Sequence, residues 1–269
     1  MNAPDEERST PGWLRAAVFA GVNAWSLLVN LWFAPRGLYE PLWHVSGGWI
    51  DPALQVSLPA LSLFLVAMRA AGVKFGDCGW RRQGLVAAVL ATATVWLLLQ
   101  AFVALWPEPI LFDPYRLPSD DPRQLLGQLF GVALLEETVF RGFFVVQFLW
   151  VLRGRGWMRI PASLVATAAA ALLFALPHVP NRIYLGTYHG IADVGVDLLQ
   201  LWAGGVLFGW MYLRTRNLWW CVGVHALANA PALLPGTVMF GSVKEVVAVL
   251  AIVVTLAWPR TFGRTRRPG

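Results

Sequence analysis

Charge is scarce in this sequence. Acidic and basic residues together make up 13% of its 269 residues, about half the share of an average soluble domain. So few polar groups could not cover the exterior of a water-soluble globule of this size, and the apolar content excludes a disordered chain. Cysteine is nearly absent. Cys78 and Cys221 lie too far apart to suggest a disulfide framework and match no metal-ligand spacing. Lysine is rarer than arginine, which supplies nineteen of the 21 basic residues and fits a GC-rich bacterial genome. What is abundant is apolar: 57% of residues are hydrophobic, and the mean hydropathy is +0.57. The composition predicts a polytopic membrane protein.

A net charge of +6 and a pI near 9.9 would suggest a nucleic-acid partner in a soluble protein. Here the positive charge falls in short loops between apolar runs, where it faces anionic lipid headgroups, so the bilayer and no nucleic acid is the expected partner. Many of the fifteen Trp residues stand near run ends, as in interfacial belts. Apolar stretches able to cross roughly 30 Å of hydrocarbon predict eight helices, at 16–35, 52–68, 84–106, 125–152, 160–178, 194–213, 218–235 and 243–258. The first run is expected to be a retained helix, because acidic residues precede it and no clear cleavage site follows it. With the N-terminus inside, fifteen basic residues fall in inside segments and five in outside loops. That asymmetry predicts both termini in the cytoplasm of a bacterial inner membrane. The expectation is an all-α transmembrane bundle forming one domain over 1–269. Its catalytic core would span 84–235, with cytoplasmic tails at 1–13 and 259–269 and a proline-rich outer cap at 107–124.

Ionisable residues inside such a bundle are functional suspects, because each costs several kcal/mol. The fourth span carries Glu136, Glu137 and Arg141 in an otherwise apolar run. Glu137 and Arg141 stand i,i+4 in the favourable order for an ion pair. Glu136 is turned about 100° away on a regular helix, so it needs a partner from elsewhere. Phe174 and His178 share a face of the fifth span, and His225 and Asn229 share one of the seventh. A carboxylate and an imidazole can share and activate a water, and an imidazole N–H with an amide N–H suits a developing oxyanion. No Ser in these spans stands beside a His, which favours amide hydrolysis without a covalent intermediate. Cys221, one turn before His225, reads as a buried core residue. His189, Asp193 and Asp197 read as a solvated loop and helix start, and His44 has no evident partner.

Glu136-Glu137-x-x-x-Arg141, Phe174-x-x-x-His178 and His225-x-x-x-Asn229 resemble, in order, the three motifs of the CPBP family, the CAAX-prenyl-endopeptidase and bacteriocin-processing intramembrane proteases. The resemblance runs from about the third span to residue 235. It implies that Glu136 and His178 activate the water, His225 and Asn229 form the oxyanion site, and Glu137 with Arg141 supports the helix. It also implies metal-free catalysis without a cofactor, with zinc held by Glu136, His178 and His225 as the alternative. The substrate would be a membrane-anchored or exported protein, as in the myxosortase-like branch. Two other classes remain open: a transporter or proton relay, against which stands the lack of inverted repeats, and a non-catalytic scaffold or immunity member of the same family.

Overall fold

The computed structural model describes residues 9–105, 122–233 and 243–258. Among these the chain is helical with no strand, in nine helices. The tail at 259–269, most of the cap at 107–124 and the last residues of the seventh predicted span lie outside the described residues. Helix α1 (Gly12–Arg36) is followed by a short α2 (Glu40–Val45) and by α3 (Pro52–Ala70). Asp51 caps α3 by accepting from the Leu54 amide at 2.8 Å, and Pro52 starts it, where the missing N–H is no loss. A loop with a tight turn at Phe75–Cys78 leads to α4 (Leu85–Leu105). Helix α5 covers 122–154, α6 Arg159–Tyr184, α7 Ile191–Thr215, α8 Leu218–Asn229 and α9 Val243–Ala257.

Five of these helices (α1, α3, α4, α6 and α7) are long and apolar enough to cross a membrane. Their outward faces carry large apolar side chains, among them Leu63, Val86, Leu97, Leu164 and Leu199. Outside a bilayer such a surface would drive aggregation; within one it is the lipid contact. The protein is an integral membrane protein.

The seventh expected span, 218–235, needs correction. Helix α8 has twelve residues and stops at Asn229, giving a length of about 18 Å, well short of the hydrocarbon thickness. Pro231 cannot continue it, and Ala232 adopts a left-handed φ of 45°. Exposed backbone at membrane depth must find partners. The Trp96 indole on α4 supplies them, donating to both the Pro231 and Ala232 carbonyls at 3.1 Å.

Helix α5 is the axle of the bundle: every residue from 137 to 145 is buried. Three glycines let neighbours reach its backbone. A Cβ at Gly131 would lie 2.9 Å from the Ala53 carbonyl oxygen of α3, and one at Gly142 only 2.1 Å from that of Cys78. Gly127 meets the Asp51 carboxylate in the same way. On the opposite side Gly205 and Gly209 of α7 seat against Ala171 and Thr167 of α6. Small residues at contact points are how apolar helices associate where lipid removes the hydrophobic drive. Two stretches of α5, Gln128–Val132 and Glu137–Val145, widen into π-helical turns. Glu136 ends the regular turn between them, and the expected i,i+4 pair of Glu137 with Arg141 is kept inside the second.

Candidate functional site

Helices α5, α6 and α8 bring Glu136, His178 and His225 together. Oε1 of Glu136 lies 3.8 Å from Nε2 of His178, and its Oε2 lies 3.6 Å from Nε2 of His225. Both gaps exceed a direct hydrogen bond and fit groups that share a small third party. Glu136 and His178 keep about a fifth of their side-chain surface exposed (20% and 22%), whereas Glu137 keeps none. One carboxylate is therefore open to a cavity and its neighbour is sealed.

His178 stands where it does because of Pro177. The ring removes one backbone donor and tightens α6 into a 3-10 turn at Leu176–His178. The helix then resumes to Tyr184, so His178 is not the outer end of its span, as the 160–178 limits had it. Its Nδ1 lies 2.8 Å from the Phe174 carbonyl oxygen. That oxygen can only accept, so Nδ1 carries the hydrogen and the Nε2 lone pair faces Glu136.

His225 follows the same logic with a stronger partner. Its Nδ1 lies 2.8 Å from Oε1 of Glu137, which also pairs with Arg141 at 3.1 Å. Glu137 thus orients the imidazole as well as balancing the arginine, a role its spacing to Arg141 did not reveal. The carboxylate holds the hydrogen on Nδ1 and points the Nε2 lone pair at Glu136. With both imidazoles neutral, three acceptors converge on one point without a donor among them. The arrangement calls for a proton or another cation there.

Arg141 is 1% exposed and lies between two aromatic faces, 4.4 Å from the Phe174 ring centre and 5.2 Å from that of Phe208. Phe208 also lies 5.3 Å from the His225 ring. Phe174 is therefore a wall that the cation and both imidazoles share, with His178 at 4.7 Å and His225 at 6.4 Å. Asn229 sits one turn beyond His225, exposed toward the cavity, where its amide donates to Oε1 of Gln128 at 3.0 Å. Gln128 and Phe208 were not legible as site residues: one is a polar residue near a helix start, the other one Phe among fifteen. Cys221 is fully buried, its thiol 3.8 Å from the Phe208 carbonyl oxygen. His44 stacks on Trp43 at 5.4 Å, away from these groups.

The site opens into a cavity of about 1710 Å³ that runs along α1 and is walled mostly by apolar side chains such as Val22, Val56, Phe140 and Leu207. Polar residues gather at one end: Glu40, Asn181, Arg182, Asp193 and Asp197. There Asp193 caps α7 by accepting from the His189 and Gly190 amides, and Asp197 accepts from the Tyr188 hydroxyl at 2.8 Å. Burial, then the Asp197 hydrogen bond, push the Tyr188 phenol up to about 12, so it stays a donor. Asp197 thus lines the cavity. Most of the basic residues (Arg69, Arg81, Arg153, Arg159 and Arg214 among them) lie at the opposite ends of the same helices.

A helical bundle in the membrane with a carboxylate and two imidazoles sunk between its helices defines a class, the polytopic proteins that carry ionisable groups below the membrane surface. The comparison with known families is more specific. Residues 118–231 match the family model described as type II CAAX prenyl endopeptidase Rce1-like, so this part of the chain is similar to the CPBP-family intramembrane CAAX-type proteases. All seven site residues singled out from the sequence fall inside that segment. No curated protein and no solved structure matches the chain.

Proposed function

We propose that the protein is a glutamic-type intramembrane endopeptidase that hydrolyses one peptide bond with a directly activated water. The observation that carries this reading is the convergence of Glu136 with the Nε2 atoms of His178 and His225 at 3.8 and 3.6 Å, in the wall of a cavity wide enough for a peptide segment. A water between Glu136 and His178 loses a proton to this pair as its oxygen attacks the scissile carbonyl. The tetrahedral oxyanion is met by the second amide hydrogen of Asn229, the first being given to Gln128. His225, held through Nδ1 by Glu137, takes up a proton on Nε2 from the Glu136 side and donates it to the oxyanion. The proton gained from water passes to the leaving nitrogen as the C–N bond breaks, leaving a new carboxylate and a new amine.

The polar mouth lies at the bundle end opposite most of the basic residues. By the positive-inside tendency that end is extracytoplasmic. The reading therefore extends to an exported substrate held by a membrane segment, such as a C-terminal sorting helix, with both termini of the enzyme in the cytoplasm of a bacterial inner membrane. A second reading comes from the three convergent acceptors, which would also suit Zn²⁺ as a His₂Glu set. Among the described residues no group of three His, Cys, Asp or Glu has metal-binding spacing, which ranks it second. Activity that persists in purified protein after chelator treatment removes it. The deciding experiment compares envelope protein termini between wild type and Glu136→Gln. Loss of a defined new terminus supports the peptidase; unchanged termini overturn it.

A further inference from the structure

Arg182 stands one turn beyond His178 on the same face of α6, and Phe174, His178 and Arg182 all line the cavity. Among the described residues its guanidinium uses only one edge: Nε donates to Oδ1 of Asp197 on α7 at 3.3 Å, and its two terminal nitrogens meet no partner there. Asp197 is held in turn by the Tyr188 hydroxyl at 2.8 Å. The same turn is braced from the other side. Asn181 donates to Asn30 of α1 at 2.9 Å, and Ser26 of α1 donates to the Pro177 carbonyl. Helices α1 and α7 thus clamp the segment that carries both His178 and Arg182, and the side chain keeps about a fifth of its surface (19%) open.

A clamped arginine with an unused two-nitrogen edge beside an apolar wall is a planar fork for an oxyacid. Its neighbours Asp193 and Asp197 are already committed, to backbone amides and to Arg182 itself. We propose that Arg182 is a carboxylate-binding subsite that sets the register of the substrate against Glu136 and His178. This rests on the peptidase reading above. The four residues from His178 to Arg182 rise about 6 Å along the axis, and an extended peptide advances about 3.3 Å per residue. The carboxylate belongs about two residues from the scissile bond. It is either an acidic side chain or the chain terminus, and both offer the same two oxygens.

The test separates binding from cleavage. Full-length Glu136→Gln protein in lipid nanodiscs is titrated with a dansyl-labelled apolar tetrapeptide in three forms: the free acid, the C-terminal amide, and the amide with Asp at its third position. The expected result is that one carboxylate form binds about tenfold more tightly than the plain amide, and which form does so identifies the source. Adding Arg182→Met should abolish the difference while leaving amide binding intact, and Arg182→Lys should retain part of it. Equal binding of all three forms, a preference that survives Arg182→Met, or loss of amide binding in that variant overturns the subsite. The last would make Arg182 a staple between α6 and α7. Carboxylate preference with no cleavage by the Glu136 enzyme would sink the peptidase reading alone, whereas cleavage without that preference would sink the subsite alone.

Discussion

Replacing Glu137 by Gln removes one charge and almost no volume, so its consequences are electrostatic. Glu137 is fully buried and its Oε1 serves two groups, Arg141 at 3.1 Å and His225 at 2.8 Å. Without the carboxylate, a guanidinium that is 1% exposed is left uncompensated against the Phe174 and Phe208 rings. Removing one partner of a buried ion pair costs about 3–5 kcal/mol, and the two aromatic contacts, already made in the wild type, do not offset that loss. Unfolding of the purified protein in a fixed detergent should therefore register a loss of several kcal/mol, a large part of the stability of most domains. The double variant Glu137→Gln/Arg141→Met, with no buried charge left, should recover most of it. Turnover should recover in neither, since a Gln amide no longer enforces the Nδ1–H form of His225. Glu136→Gln is the contrast: partly exposed and, among the described residues, with no charged partner nearer than 3.6 Å, it should leave stability within about 1 kcal/mol and abolish cleavage. A Glu137→Gln protein as stable as wild type would refute the account of a sealed ion pair.

Other variants probe separate parts of the structure. Gly142→Ala would place a Cβ 2.1 Å from the Cys78 carbonyl oxygen, where backbone must shift, so a loss of about 1–3 kcal/mol is expected; unaltered unfolding would mean that the 75–78 turn does not press on α5. Burial, with Asp77 adding to it, pushes the Cys78 thiol up to about 12. The thiolate fraction at pH 8 is then very small, and maleimide should label Cys78 only after unfolding; rapid labelling of the folded protein would contradict this. Asn229→Ala should lower kcat by about 10²–10³ with little change in KM if its amide meets the oxyanion, and a change confined to KM would reassign it to substrate binding.

The sequence by itself was enough for the membrane class and the polar suspects. An 18-residue apolar window and a carboxylate inside one are both local properties, readable without knowing what packs against them. The motif resemblance then selected Glu136, His178 and His225, and the fold sets Glu136 3.8 Å from His178 and 3.6 Å from His225 across three helices. Which carboxylate faces the cavity and which is sealed depended on tertiary structure. Adjacent residues on one helix differ only by what surrounds them: Glu137 meets Arg141 and His225, whereas Glu136 faces the cavity. The same holds for the stop at Asn229. A run of apolar residues through 218–235 does not say that Pro231 will break it or that Trp96, over a hundred positions earlier, will satisfy the freed carbonyls. Gln128 and Arg182 acquire meaning only from neighbours distant in the chain, because a polar side chain's chemistry is set by its partners and by what shuts out water, and both are assembled by packing.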